Sequence, residues 1–345
     1  MKLLVLGGTR FLGHHLVTAA LAHNHDVTLF HRGQHPAVER PNVETIYGDR
    51  HYDLERLQNQ TWDAVIDTCG SLPHAVKASA EALANSVERY VYISSISAYA
   101  NLSVAGVDET SPLETLTEEQ LQVVNATTTV EQLSTATYGE LYGGLKALCE
   151  QAVEETLPER SLILRPGLIV GSADYTDRFT YWVARVARGG DVLAPGNPNR
   201  SIQFIDARDL AGWIIQRVEA KATGIYNASG VPDQLMMQHF LEQCKDTSRS
   251  DANFIWVSDE FLMQKQVTPW SELPLWIPDA MQEAADLLSI NCDKALDAGL
   301  KFRPIAQTIQ AVLSWSQTHR AQGTLNAGLA PDKEHDLLRQ WQETE

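Results

Sequence analysis

Short apolar runs alternate with longer stretches of helical spacing through the first half of the chain. Leu3–Leu6, Val27–Phe30, Val43–Tyr47, Ala64–Asp67, Tyr90–Ser94 and Leu162–Arg165 are brief β-rich runs. Runs of that length predict strands buried in a sheet core. Between them, Phe11–Ala22 and His74–Ala84 carry apolar residues at helical spacing. Strand-helix alternation predicts an α/β chain with a doubly wound parallel sheet, helices on both faces and right-handed crossovers.

Two segments depart from this rhythm. Residues 100–137 are rich in Thr, Glu and Gln and poor in aromatics, which marks an insertion that is either a lid or a solvated excursion. After Gly171 the pattern turns irregular, and Trp256, Trp270 and Trp276 gather among Pro269, Pro274 and Pro278. The expected organisation is a sheet domain over 1–170 and a smaller lobe over 171–320, interleaved with the last sheet elements. A tail over 321–345 holds one short amphipathic stretch, His335–Trp341.

Composition narrows the partners. Twenty-seven basic against 44 acidic residues give a net charge of −17. A body this acidic repels phosphate backbones and anionic lipid, so neither nucleic acid nor a membrane surface is expected. Four cysteines, Cys69, Cys149, Cys244 and Cys292, lie far apart without a CxxC pair. The first apolar run stops at Gly7-Gly8, too early for a secretory signal, so a cytoplasmic protein is expected. No metal is expected: His14-His15 and His23-Asn24-His25 have no matching Cys or acid cluster in sequence. Cys149 reads as a core thiol, and Asp206 and Asp209 as caps of the helix after them.

Candidate chemistry begins where the first strand meets the first helix. Gly7-Gly8-Thr9-Arg10-Phe11-Leu12-Gly13 forms a glycine turn there. Such a turn lets backbone N–H groups approach a pyrophosphate at a helix N-terminus. Gly13 permits close helix-strand packing. Arg10 stands where a further glycine is common. The second strand is followed by His31-Arg32-Gly33, with no acid to take the ribose 2′-hydroxyl. The guanidinium of Arg32, joined by Arg10, suits a 2′-phosphate, so NADP is expected ahead of NAD.

Tyr142 and Lys146 are four apart and share a helix face. An ammonium beside the phenol favours phenolate; moving a pKa near 10 to 7 takes about 4 kcal/mol. The strand ending in Ser94-Ser95 delivers hydroxyls to the ligand crevice of such a sheet. Gly139, Gly143 and Gly144 weigh against the helix, each by about 1 kcal/mol. The ordered set is completed by Gly48-Asp49-Arg50, Asp67-Thr68-Cys69-Gly70 and Arg165-Pro166-Gly167.

From Met1 to about Ser316, this set resembles the extended short-chain dehydrogenase/reductase, or NAD-dependent epimerase/dehydratase, family. More narrowly, GGTRFLG with TYGELYGGLKALCE is similar to a bacterial 2′-hydroxyisoflavone reductase-like branch. The resemblance implies a Rossmann sheet and a C-terminal substrate lobe. It implies cofactor contacts from the glycine loop, Asp49-Arg50, Thr68, Cys69, Gly70, Ser94, Pro166 and Gly167. Ser95, Tyr142 and Lys146 are the implied catalytic set, and a homodimer built on the Tyr142 helix is the implied assembly. The expected activity is an NADP-dependent oxidoreductase acting on a small carbonyl or alcohol. The alternatives are a nucleotide-sugar epimerase or dehydratase, and a non-catalytic nucleotide sensor or RNA-associated protein. Dehydration usually needs an acid beside Ser95, where Ile96 stands. Arg178-Phe179-Thr180-Tyr181-Trp182 and Arg200 fall where the family's lobe meets substrate, and an arginine there suits a phosphate or carboxylate.

Overall fold

The computed structural model describes residues 1–35, 42–230, 235–281, 287–319 and 325–344. Strands β1 (Lys2–Leu6), β2 (Asp26–His31), β3 (Val43–Tyr47), β4 (Trp62–Asp67), β5 (Val87–Ile93) and β6 (Ser161–Pro166) form the first half. With them come α1 (Phe11–Ala22), α2 (Pro73–Leu83), α3 (Glu118–Ala126) and α4 (Thr135–Thr156). The second half runs β7 (Ile169–Val170), α5 (Arg178–Ala187), β8 (Asp191–Pro195), β9 (Ile205–Asp206), α6 (Ala207–Glu219), β10 (Gly224–Ala228), α7 (Met237–Ser248) and β11 (Asn253–Val257). It ends with α8 (Asp259–Gln264), α9 (Asp293–Asp297), α10 (Ile305–His319) and α11 (Pro331–Gln342).

Seven strands pair in parallel in the order β10-β6-β5-β4-β1-β2-β3. The order reverses at β1, so the ligand crevice of a Rossmann sheet opens between the ends of β1 and β4. One face is covered by α1 and α6, whose Leu16, Val17, Leu210 and Ile214 bury against Leu3, Val5 and Ile66. The other is covered by α2 and α4 through Val76, Ala80, Cys149 and Val153 against Leu4, Val65 and Tyr90. Buried apolar side chains on both faces account for the strands' continuous apolar character. As expected, Cys149 is a core thiol, and its burial raises it to about 11. Among the described residues, no helix is long and apolar enough to cross a membrane.

The second lobe has its own core, in which Phe179, Trp182, Phe240, Leu262 and Trp276 are buried around the β8–β11 pair. The tail stretch lies within α11, and Glu334 ties it back to Arg185 of α5 at 2.6 Å. Asp206 caps α6 by accepting from the Arg208 N–H, whereas Asp209 pairs with Arg303 at 2.7 Å.

Residues 101–134 do not run out as a solvated excursion. Leu116, Val124, Val130 and Leu133 pack with Leu72 of the loop before α2 and with Leu141 and Leu145 of α4. The start of the segment is joined to the sheet edge and to the residues before α9: Asn227 N–H of β10 donates to Glu109 at 2.7 Å, and Asn291 N–H to the Val107 carbonyl at 3.0 Å.

The three glycines do not stop α4. A Cβ on Gly143 would lie 2.3 Å from the Ser97 carbonyl oxygen, and one on Gly144 2.2 Å from Leu116. Glycine there brings the helix against the turn after β5. The cost of each glycine in a helix is offset by that close approach.

Candidate active site

A crevice of about 730 Å³ runs along the strand ends from the β1 turn to α4. The glycine loop, Arg32, Asp49, Arg50, Thr68, Cys69, Ser94, Ser95, Tyr142, Lys146, Pro166 and Gly167 all line it. Gly70 lies just behind, where its carbonyl accepts from Tyr92 Oη at 2.9 Å and Lys146 Nζ at 3.0 Å.

The loop fits a diphosphate. Gly7 has φ +91°, and Gly7 N–H is tied to the Phe30 carbonyl at 2.9 Å, which turns the chain sharply off β1. A Cβ on Gly13 would lie 2.5 Å from Gly8 Cα, so only glycine lets α1 start this close to the turn. Helix α1 has no side-chain cap and no acid in its first turn. Its partial positive charge therefore meets the crevice unopposed by a first-turn carboxylate. Thr68 buttresses the turn: its hydroxyl donates to the Leu6 carbonyl at 2.8 Å and accepts from Gly8 N–H at 3.3 Å.

Several charged groups differ from their expected roles. Arg50 lines the crevice wall, but its guanidinium is engaged inside the protein, donating to Asp67 Oδ1 and Oδ2 at 3.0 and 2.8 Å and to Ser79 at 2.9 Å. Arg10 lies over the ring of Tyr175 at 3.9 Å, joining the phosphate loop to the second lobe. Arg32 has partners within the protein: its Nη1 is 3.1 Å from Glu131 Oε1 and 4.0 Å from Asp49 Oδ2.

At the other end, Ser95 caps the turn after β5, accepting from Ser97 N–H at 3.1 Å. Tyr142 comes over from α4, with Tyr138 one turn earlier at 5.7 Å between ring centroids. Among the protein's own groups, burial has the largest effect on Tyr142. Burial raises the Tyr142 phenol above its ordinary value, opposed by a hydrogen bond with Ser95 and the charge of Arg178. Lys146 sits 6.0 Å from the Tyr142 ring centroid, and its three N–H bonds go elsewhere. Nζ donates to the Ile93 carbonyl at 2.9 Å, the Gly70 carbonyl at 3.0 Å and Tyr92 Oη at 3.2 Å. The i, i+4 spacing placed the two residues together but did not show these acceptors on β5 and after β4.

Arg178, at the start of α5, has no hydrogen bond or ion pair to any described residue; it lies over Trp270 at 5.3 Å. Arg200 differs, being held by Asp259 at 2.6 Å and Asp279 at 2.8 Å. Sequence reasoning missed Val130, Glu131, Tyr138 and Tyr175 as crevice residues. Only Tyr138 carried a signal, its spacing of four from Tyr142. Far from the crevice, the fold brings Glu219 to His25 at 2.9 Å and His23 at 3.0 Å, an acid that the sequence did not show beside the two histidines. These three are the one His/Glu group of metal-ligating geometry among the described residues.

Residues 3–229 match the family model for the NAD dependent epimerase/dehydratase family. The chain belongs to that family. It is therefore an enzyme of the NAD-dependent epimerase/dehydratase type, built on a Rossmann-like sheet. Among solved structures, it is similar to the Bordetella bronchiseptica enzyme WbmH in complex with NAD+, at TM-score 0.65 and 14% identity, covering 92% of this chain and 98% of that one. It also resembles UDP-glucose 4-epimerase from Bifidobacterium longum in complex with NAD+ and UDP, at TM-score 0.62 and 17% identity over 93% and 99%. UDP-N-acetylglucosamine 4-epimerase from Methanobrevibacter ruminantium gives TM-score 0.65 and 16% identity over 92% and 98%. Among curated proteins, chloroplast stem-loop binding protein of 41 kDa b from Arabidopsis thaliana is 33% identical over 114 residues, spanning 28% of this chain and 30% of that protein.

Proposed function

We propose that this enzyme inverts a carbinol centre of a nucleotide sugar by transient oxidation, with a nicotinamide dinucleotide held in the crevice throughout. The observation that carries the reading is the make-up of the reacting end. Ser95, Tyr142 and Lys146 converge there, and among the described lining residues the two carboxylates, Asp49 and Glu131, lie at the opposite end beside Arg32. Such a site has the groups for alcohol–ketone interconversion but lacks the extra acid that elimination of water calls for. Neighbours of the same fold are sugar 4-epimerases, which supports this reading over a net oxidoreductase.

The bound dinucleotide supplies the hydride acceptor and donor. With the positive charge of an oxidised dinucleotide beside it, Tyr142 would release its own proton to solvent; its phenolate Oη would then take the proton of the substrate hydroxyl as the alcohol becomes a ketone, and return it when the ketone is reduced on its other face. Ser95 orients the reacting oxygen. Lys146 acts on the floor of the site, holding the Gly70 and Ile93 carbonyls in place. Arg178, which has no hydrogen bond or ion pair to a described residue and whose charge acts on Tyr142, would seat a substrate phosphate. An NADP-consuming reductase would use the same Tyr142 and Ser95, so the cofactor balance discriminates. Incubation with UDP-hexoses and a trace of dinucleotide, followed by sugar analysis, tests it. Epimer formed without net cofactor consumption supports the reading; one cofactor consumed per product selects the oxidoreductase.

A further inference from the structure

The position after β2 holds Arg32, with no acid to receive a ribose hydroxyl. The fold supplies one from 99 residues away. Glu131 Oε1 lies 3.1 Å from Arg32 Nη1, and Val130 and Glu131 line the same end of the crevice as His31, Arg32 and Asp49.

Glu131 is held there by its own turn. It lies in a short 3-10 turn, Val130–Gln132, whose entry is closed by a capping box between Thr129 and Gln132. Gln132 Oε1 accepts from Thr128 N–H at 2.7 Å. Val130 packs toward the cluster of Leu72, Leu141 and Leu145, which anchors the turn to α4. Arg32 thus sits between two carboxylates, Glu131 and Asp49 at 4.0 Å, and carries two negative partners for one positive charge.

We propose that Glu131 is a specificity residue for the dinucleotide: it stands in for the missing acid after β2 and, with Asp49, excludes a 2′-phosphate, so the crevice selects NAD over NADP. A 2′-phosphate brings close to two negative charges to this corner. To pair with Arg32 it must come beside both Glu131 and Asp49. A free ribose diol meets no such repulsion and finds carboxylate acceptors.

The inference rests on the crevice being a dinucleotide site, and equilibrium binding separates the two ideas. NADH and NADPH are titrated by nicotinamide fluorescence at physiological ionic strength into the full chain, Glu131→Gln, Glu118→Gln and the Arg32→Ala/Glu131→Gln double variant. Glu118 is exposed on the same insertion and reports the effect of net charge alone. Wild type is expected to bind NADH at least tenfold more tightly than NADPH. Glu131→Gln should shift that ratio at least tenfold toward NADPH, Glu118→Gln should leave it in place, and removing Arg32 should cancel the gain. A ratio unmoved by Glu131→Gln, moved equally by Glu118→Gln, or favouring NADPH in wild type overturns the proposal. Failure of wild type to bind either dinucleotide overturns the crevice reading instead.

Discussion

Lys146 donates to the Ile93 carbonyl at 2.9 Å, binding the middle of α4 to the end of β5. With the Gly70 carbonyl and Tyr92 Oη, this uses all three ammonium donors on the protein itself. The lysine is 7% exposed, so its charge is stabilised by these acceptors rather than by water. Replacing it with methionine takes the lysine donor from the Ile93 carbonyl, at about 1–3 kcal/mol, while the Gly70 carbonyl keeps Tyr92 Oη. Lys146→Met should lower the melting temperature by several degrees as well as weaken catalysis. Calorimetry checks this; an unchanged melting temperature would return the lysine to a purely cofactor-facing role.

The phenol of Tyr142 is expected to stay protonated in the cofactor-free enzyme. Its pKa is raised, first by burial, which favours the neutral form. A difference titration of phenolate absorbance, wild type minus Tyr142→Phe, should show no ionisation between pH 6 and about 9, below the ordinary tyrosine range. A phenolate appearing near neutrality without cofactor would contradict this assignment.

Arg50 and Asp67 form a buried pair, to which Tyr90 adds a hydrogen bond at 2.9 Å. Arg50 holds the Asp67 carboxyl below its ordinary value despite burial. Because the folded pKa is depressed, the pair's stabilisation is present above the unfolded value near 3.9 and fades as pH falls through the folded value. Removing one partner of such a buried pair costs about 3–5 kcal/mol. Arg50→Leu should therefore unfold at lower denaturant. Weakened dinucleotide affinity with unaltered stability would instead support the cofactor role read from the sequence.

Two glycines of α4 should respond in opposite directions. A Cβ on Gly139 meets nothing within 4 Å, so Gly139→Ala is expected to stabilise by about 0.5–1 kcal/mol. Gly143→Ala drives a methyl against the Ser97 carbonyl, displacing the helix from the turn that carries Ser95. It should lower both stability and turnover. Paired unfolding curves and rates decide; equal behaviour of the two variants would remove the close-approach argument.

The sheet was largely legible because its strands are buried on both faces and read as short apolar runs: β3 and α1 have the same bounds in sequence and structure. The crevice was legible where chemistry follows strand ends in order, as at Gly7–Gly13 and Ser94-Ser95. Charge pairing was not. Arg50 and Arg32 have their partners 17 and 99 residues away, and nothing local announces Asp67 or Glu131. The insertion misled for a related reason. Its polar composition hides four apolar residues, Leu116, Val124, Val130 and Leu133, whose partners lie on other elements.

Tyr142 as the proton carrier is the claim on which the catalytic account turns. The most direct measurement is epimer formation from a UDP-hexose by wild type and Tyr142→Phe, with bound dinucleotide quantified in both. Wild type should yield the epimer with the cofactor returned to its starting state, while Tyr142→Phe should bind dinucleotide equally well and lose at least about 100-fold in turnover. A Tyr142→Phe enzyme that epimerises at nearly the wild-type rate would contradict the account.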